Sequence, residues 1–202
     1  MIADETVSGR RAPSFDVPPR WQILPVDGEA RHGALPLRLA SGPGFGDGRH
    51  PTTQGCLQAI GALAPRDRPW RLLDFGSGSG ILSIAGARLG ATVDAVEIDP
   101  RAVAHAQRNL EANALADRVR HCSIVDAAGP FDLVVSNILR AVLVSFADAL
   151  VDSLGPGGSL VLSGLVTTDV PEVTARYASL LGGRRPESYD RGEWRVLVWR
   201  GR

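Results

Sequence analysis

The feature that most constrains the fold is an alternation, from Trp70 onward, of short β-branched or leucine-rich runs with longer alanine-rich stretches. Such alternation is typical of βα units, in which helices cover both faces of a parallel sheet. Several of the short runs are apolar on both faces, as a covered parallel sheet requires. Strands are predicted over 71–75, 92–98, 119–124, 131–136 and 159–163. The sequence therefore predicts an α/β chain with a doubly wound, Rossmann-like sheet.

Helices are predicted between these strands, and the range 100–114 carries the clearest signals. Asp99 can cap its first turn, and Pro100 suits the first helical position. Its apolar face is predicted to hold Val103, Ala106, Leu110 and Ala114. Further helices are predicted over 80–89, 139–154 and 168–181. Residues 184–200 predict two strands joined by a turn at 191–192, which would make the sheet mostly parallel with an antiparallel C-terminal edge.

The first part of the chain has a different character. Residues 1–40 contain scattered prolines and two short apolar pieces, at 21–24 and 35–39. We expect residues 1–40 to form a flexible leader with a small strand pair. Residues 41–202 are then expected to form one domain that carries the functional site.

Composition limits the functional classes. The chain has 202 residues, 44% of them hydrophobic, and a formal net charge of +0, so it has no overall charge that would attract nucleic acid or a membrane. All 22 basic residues are arginine. Cys56 and Cys122 have neither zinc-ligand nor disulfide spacing, so we predict no metal site. Because no apolar run is long enough for a signal peptide or a membrane span, we expect a cytoplasmic protein.

The strongest local motif is a glycine-rich turn between a predicted strand and a predicted helix, running from Asp74 through Gly76, Gly78 and Gly80. Glycine lets the backbone approach a ligand closely, and the following helix offers free N–H groups. A dinucleotide fingerprint would place its third glycine where Ile81 stands, so the spacing favours the methyltransferase form of the loop. A purely structural turn would also use glycine here.

An acidic residue follows the next predicted strand. Glu97 stands about 20 residues after the glycines, where a carboxylate can accept hydrogen bonds from both ribose hydroxyls of a nucleoside. The neighbouring Ile98 is expected to contact the same ligand. Asp99 is better explained as a helix cap.

Two polar residues lie at or near the end of the strand predicted over 131–136. Asn137 would reach the carboxyl edge of the sheet, where open α/β folds bind ligands, and is a candidate for orienting an acceptor nitrogen. A turn asparagine is the alternative. Asp126, on the loop before that strand, would accept from an adenine amino group or simply be a solvated loop acid.

A second glycine-rich loop precedes a predicted helix, over 44–53. Within it, His50 is a candidate wall or proton acceptor of the site. Thr52 or Thr53 is expected to cap the helix, and an unremarkable loop histidine is the alternative for His50.

At these motifs the chain resembles the PrmA family of methyltransferases, which modify a large-subunit ribosomal protein. The resemblance runs over roughly residues 40–200. It rests on Phe45-Gly46-x-Gly48-x-His50-Pro51-Thr52-Thr53, Asp74-x-Gly76-x-Gly78-Ser79-Gly80-Ile81-Leu82, Ile98-Asp99-Pro100, Asn137-Ile138-Leu139, Pro156-Gly157-Gly158, Leu162-Ser163-Gly164 and Gly192-Glu193-Trp194.

The resemblance implies a class I methyltransferase fold and S-adenosyl-L-methionine as the cofactor. It implies that Thr53, Gly76, Glu97 and Asn137 contact this cofactor, with Glu97 in place of the family's usual aspartate. Full-length members carry a separate amino-terminal domain that grips the ribosomal substrate, and we expect that domain to be missing here.

The leading hypothesis is therefore a protein N-methyltransferase that acts on a lysine or an amino terminus. The resemblance includes ribosomal proteins among its substrates. A methyltransferase for a small amine is the nearest alternative, favoured if residues 1–40 close over the site as a lid. A non-catalytic S-adenosylmethionine-binding module is another, and a nucleotide-dependent oxidoreductase is disfavoured by Ile81. The oligomeric state does not follow from the sequence.

Overall fold

The computed structural model describes residues 14–201, so the first part of the predicted flexible leader lies outside the described residues. The strands are β1 (Phe15–Val17), β2 (Trp21–Pro25), β3 (Leu35–Leu39), β4 (Trp70–Phe75), β5 (Ala91–Val96), β6 (Val119–Cys122), β7 (Phe131–Asn137), β8 (Leu154–Val166), β9 (Glu187–Arg191) and β10 (Trp194–Trp199). The helices are α1 (Pro51–Leu63), α2 (Ile81–Arg88), α3 (Pro100–Ala112), α4 (Arg140–Ser145), α5 (Ala147–Asp152) and α6 (Val170–Leu180).

Seven strands form one large sheet in the order β6-β5-β4-β7-β8-β10-β9. The first five of these strands pair in parallel, and β10 pairs antiparallel with both β8 and β9. Buried side chains form an apolar core on each face of the sheet. This confirms the predicted α/β sheet, mostly parallel with an antiparallel C-terminal edge.

The strand order creates the place where a ligand can bind. β4 has β5 on one side and β7 on the other, so the chain reverses its direction of winding at β4. In open α/β sheets, ligands bind in the crevice at the carboxyl ends of the strands beside such a reversal. The ends of β4, β5 and β7 therefore define the position of the site.

The helix predicted over 139–154 is in fact two short helices, α4 and α5. They are separated at Phe146, whose φ of −99° and ψ of 12° interrupt the helix. The ring of Phe146 lies 5.1 Å from the ring of Phe75, between centroids, at the end of β4. The prediction was wrong here because the apolar pattern is continuous across a position at which tertiary packing breaks the helix. The strand predicted over 159–163 was too short, since β8 runs over Leu154–Val166.

Helix α3 begins as predicted, with the Asp99 carboxylate accepting from the Arg101 N–H at 2.9 Å and Pro100 in the first turn. The end of the helix and its apolar face differ from the prediction. The helix stops at Ala112, and Ala114 is exposed with a φ of 55°, so Ala114 does not belong to the apolar face. Ala106 and Leu110 are buried as expected, but so are polar side chains beside them.

The small sheet has three strands instead of the predicted pair, because β1 pairs antiparallel with β2 while β2 pairs in parallel with β3. The buried Trp21 ties this sheet to α1 by donating its indole N–H to the Leu57 carbonyl at 2.9 Å. Val17 and Leu37 belong to the same apolar cluster as α1. The division of the chain at residue 40 stays a prediction. Within residues 14–201, no helix is both long enough and apolar enough to cross a membrane.

Candidate active site

A cavity of about 790 Å³ opens at the carboxyl edge of the large sheet. Its volume lies in the range that cofactor and substrate sites occupy. The walls come from the loop before α1, the glycine-rich loop after β4, the ends of β5 and β6, the segment from β7 into α4, and Trp194 of β10. The predicted site residues that line it are His50, Gly76, Gly78, Glu97, Ile98 and Asn137. Thr53, Asp74, Gly80 and Asp126 do not line it.

The segment over residues 40–50, called the strap below, lies directly on the glycine-rich loop. The Ser79 N–H donates to the Phe45 carbonyl at 2.8 Å, and the Ser79 hydroxyl donates to the Gly46 carbonyl at 2.6 Å. A Cβ on Gly78 would lie 2.5 Å from the Phe45 carbonyl oxygen, and Gly78 has a φ of +53°. Glycine is therefore required at position 78 for both close packing and backbone conformation.

The other glycines of the loop have separate tasks. Gly76 lines the cavity with a φ of +82°. Gly80 is the N-cap of α2, and a Cβ there would meet the Ala106 Cβ at 3.0 Å, so Gly80 serves the packing of α2 against α3. The N-terminus of α2 provides the positive end of a helix dipole beside the loop.

Glu97 holds the loop and the strand end together. Its Oε2 accepts from the Gly78 N–H at 2.9 Å, and its Oε1 accepts from the N–H groups of Ile98 and Asp99 at 2.8 and 3.0 Å. The side chain lines the cavity and is half-buried. A carboxylate has about four lone-pair sites, so the one left on Oε2 can accept from a hydroxyl group of a ligand. Ile98, 97% exposed, adds an apolar surface next to it.

Asp74 lies below the loop and not on the cavity wall. Its side chain is fully buried, and its Oδ2 accepts from the Ser83 hydroxyl at 2.6 Å. Oδ1 has no hydrogen-bond partner within the described part of the chain. Burial raises the pKa of the Asp74 carboxyl to about 6, and the nearby Glu97 charge adds to the shift. The geometry gives Asp74 a place in the support of the loop.

Asn137 stands at the end of β7 with its amide held in one orientation. Its Nδ2 donates to the Thr53 hydroxyl at 3.3 Å. Thr53 is buried, so it stands behind Asn137 and does not reach the cavity. The Asn137 Oδ1 is buried and has no hydrogen-bond partner among residues 14–201. An unsatisfied acceptor in a cavity wall is costly unless a ligand supplies a donor.

His50 is the N-cap of α1, a place that the sequence predicted for Thr52 or Thr53. Its Nδ1 lies 2.7 Å from the Thr52 hydroxyl and 3.4 Å from the Thr52 amide nitrogen. The ring is flanked edge-on by Phe45 and Trp194, at centroid distances of 5.5 and 4.8 Å. With Nδ1 occupied by Thr52, Nε2 is the ring nitrogen available to a ligand.

Some residues that line the cavity were missed by the sequence analysis, and Asp126 is one of the four predicted residues that do not line it. Asp126 is exposed on the loop after β6, and its carboxylate accepts from the Ser123 hydroxyl at 2.6 Å. Ser123 and Cys122 line the cavity in its place. Leu139, 74% exposed, forms part of the opposite wall. Apolar wall residues cannot be recognised in the sequence by a pattern of polar residues. Phe45, Leu139 and Trp194 do lie inside the motifs that resemble the family.

Comparison with known proteins assigns this geometry to a family. The family model described as "Ribosomal protein L11 methyltransferase (PrmA)" matches residues 11–202. The ribosomal protein L11 methyltransferase of Chelativorans sp. (strain BNC1) is 40% identical over 175 residues, which are 83% of this chain and 60% of that protein. The ribosomal protein L11 methyltransferase of Geobacter sp. (strain M21) is 42% identical over 177 residues, which are 84% of this chain and 57% of that protein. The chain thus spans about 60% of the length of these relatives.

Solved structures of methyltransferases are also similar to this chain. The crystal structure of ribosomal protein L11 methylase from Lactobacillus delbrueckii subsp. bulgaricus superposes with a TM-score of 0.81 at 27% identity, over 94% of this chain and 99% of that one. An RNA methyltransferase from Salinibacter ruber, in complex with S-adenosyl-L-homocysteine, superposes with a TM-score of 0.55 at 26% identity, over 72% and 90%. The class I methyltransferase fold and S-adenosyl-L-methionine as the cofactor are thereby confirmed. The chain belongs to the ribosomal protein L11 methyltransferase (PrmA) family.

Proposed function

We propose that this chain transfers a methyl group from S-adenosyl-L-methionine to an amine nitrogen of a protein. The observation that carries the proposal is the amide of Asn137, a residue of the cavity wall: its Nδ2 donates to Thr53, and its buried Oδ1 has no hydrogen-bond partner among residues 14–201. A carbonyl oxygen accepts hydrogen bonds only, so the group that completes this site must bring a donor. An amine N–H is such a donor, and its lone pair can then be directed away from Asn137.

The residues present fit the cofactor. Gly76 and Gly78 line the cavity with positive φ, beside the N-terminus of α2, whose helix dipole would favour a ligand carboxylate there. Glu97 lies where ribose hydroxyls would be bound, and Ile98 gives an apolar surface for a base. When bound, the cofactor supplies an electrophilic methyl group on a positively charged sulfur.

The protein contributes mainly by positioning. Asn137 accepts one N–H of the amine and so fixes the direction of its lone pair. The aromatic rings of Phe45 and Trp194 and the side chain of Leu139 exclude water from the same region. The amine must be neutral to attack. His50 lines the same wall, and in the tautomer whose Nδ1–H donates to the Thr52 hydroxyl, its Nε2 carries the lone pair that would accept the proton of the amine.

The relatives support one class of acceptor. Because the matching family is named for ribosomal protein L11, we propose a ribosomal protein of this type as the substrate, modified on a lysine or on its amino terminus. A cytoplasmic location would place the enzyme with that substrate. Recruitment of the substrate is expected to involve surface beyond that described, since the relatives are longer than this chain.

A small-amine methyltransferase is less well supported. That alternative needs a lid formed by residues 1–40, yet the described part of that range, residues 14–40, contributes nothing to the cavity wall. The cavity mouth is bordered by exposed apolar side chains, Phe45, Ile98 and Leu139 among them, which a bound protein would cover.

The test is to incubate the purified chain with radiolabelled S-adenosylmethionine and either a bacterial lysate or purified ribosomal protein L11. A labelled protein band is expected, lost in Asn137→Ala and kept in Arg108→Ala, an exposed residue of α3. Because the chain contains no lysine, its own lysine methylation cannot produce a band. Cofactor binding with label appearing only in a small-molecule fraction, or nowhere, would refute the protein substrate.

A further inference from the structure

Three buried polar side chains, two on α3 and one on its C-cap residue Asn113, have no part in the chemistry above. His105, Asn109 and Asn113 recur at intervals of four residues, so they share one face of the helix. All three are buried, at 3%, 0% and 4% exposure. Buried polar side chains are retained where hydrogen bonds satisfy them, and the partners of these three differ in an informative way.

Asn109 joins two separate segments of the cavity. Its Oδ1 accepts from the Ala40 N–H at 2.8 Å, where the strap begins. Its Nδ2 donates to the Ser79 carbonyl at 2.8 Å, inside the glycine-rich loop. Both groups of one amide are therefore used, one on the strap and one on the loop.

His105 completes the attachment of the strap. Its Nδ1 accepts from the Gly44 N–H at 3.2 Å, and its Nε2 faces the Ala40 carbonyl at 2.9 Å. This pattern corresponds to the neutral ring with its proton on Nε2. With Asn109, the histidine thus satisfies both backbone groups of Ala40. A Cβ on Gly42 would lie 2.4 Å from the His105 ring, so the strap runs tightly over it.

Asn113 makes the same kind of bonds further from the cavity. Its Oδ1 accepts from the Arg38 N–H at 3.0 Å, and its Nδ2 donates to the Arg38 carbonyl at 2.7 Å. Its Oδ1 also accepts from the Arg88 guanidinium at 2.9 Å. None of its partners within residues 14–201 belongs to the glycine-rich loop or to residues 40–50.

We propose that Asn109 and His105 are positioning residues for cofactor binding, because they fix the strap against the glycine-rich loop before the cofactor arrives. The proposal rests on the assignment of S-adenosyl-L-methionine to this cavity. Ser79 transmits the effect, since its N–H and hydroxyl hold Phe45 and Gly46 while its carbonyl is held by Asn109. Without Asn109, the ordering of these segments would have to accompany binding and would weaken it.

The decisive comparison is Asn109→Asp with Asn113→Asp. Each change keeps the shape and the accepting oxygen, adds a carboxylate charge and removes the donating NH₂. That NH₂ bonds the Ser79 carbonyl in Asn109, and the Arg38 and Asn109 carbonyls in Asn113. Calorimetric titration with S-adenosylmethionine is expected to show a Kd raised about tenfold or more for Asn109→Asp, and changed less than about twofold for Asn113→Asp. Steady-state rates should show a raised KM for the cofactor with kcat at saturation nearly unchanged.

Other results would overturn the proposal. Equal weakening in the two variants, or a lower melting temperature of Asn109→Asp without a change in Kd, would make Asn109 a residue of stability alone. Should Asn109→Asp fail to fold, Ser79→Ala removes the hydroxyl that donates to the Gly46 carbonyl and accepts from the Ile81 N–H, and an unchanged Kd there would contradict the role of the strap. Wild-type cofactor binding without methylation of any protein would refute the proposed function and leave this inference standing.

Discussion

The two ends of the cavity differ in how completely the protein satisfies its own polar groups. At the cofactor end, the Glu97 carboxylate accepts three backbone N–H groups, and the strap, the glycine-rich loop and α3 are joined by hydrogen bonds. At the acceptor end, the Asn137 Oδ1 has no hydrogen-bond partner within the described part of the chain, and the cavity walls there are mainly apolar and aromatic. One end is organised before binding, and the other is completed by the substrate. Substitutions should therefore affect binding at the first end and turnover at the second.

The largest expected effect is at the acceptor end. Asn137→Ala removes the group that orients the amine, so kcat should fall by about a hundredfold or more, in line with the loss of a positioned hydrogen-bonding group in a water-excluded site. The Kd for S-adenosylmethionine should change little. Rapid-quench turnover and calorimetry on the same preparation measure both quantities. A loss of cofactor affinity as large as the loss of turnover would remove the distinction between the two ends.

An intermediate effect is expected below the glycine-rich loop, at Asp74. Burial raises the pKa of this carboxyl to about 6 in the folded chain, whereas the ordinary pKa of an aspartate is about 3.9. Between these two pH values the folded chain keeps a proton that the unfolded chain has released. The free energy of unfolding should therefore fall as pH rises from about 4 to about 6, by about 2 kcal/mol from this group. Asp74→Asn should lack this part of the decrease. Urea unfolding of both proteins at the two pH values gives the answer, and parallel curves would contradict it.

The smallest of the three effects is expected at Glu97. Glu97→Gln keeps one accepting oxygen but turns an NH₂ group towards backbone donors that the carboxylate now binds. The Kd for S-adenosylmethionine should rise about tenfold, with kcat at saturation retained. Glu111→Gln makes the same chemical change at an exposed residue of α3 that does not line the cavity, so it is the matched control and should bind normally. A fall in kcat without a change in Kd would assign Glu97 to the acceptor end.

The sequence predicted those parts of the structure that depend on local pattern. The strand and helix alternation determined the sheet, and the cap formed by Asp99 and Pro100 determined the start of α3. Gly76, Gly78 and Glu97 line the cavity. The sequence indicated this position because these residues lie at or directly after the end of a predicted strand. Asn137 was placed there by the same reasoning.

The remaining features depend on contacts between distant segments. His105 and Asn109 look like ordinary helix residues, and only the strap about 65 residues earlier in the chain reveals their partners. The break at Phe146 arises from packing on Phe75, which the apolar pattern over 139–154 does not show. Asp126 was expected near the ligand because of its place in the chain, but its loop directs it to Ser123.

The break at Phe146 has a consequence for how acceptor preference can change. It leaves α4 as a helix of 6 residues with one buried side chain, Leu143, whose carbonyl accepts from the Tyr177 hydroxyl at 2.7 Å. Leu139 and Val142 face the cavity and carry little of the core. Exchange of these outward residues, with Leu143 retained, would give a library of altered acceptor pockets on one unchanged cofactor scaffold.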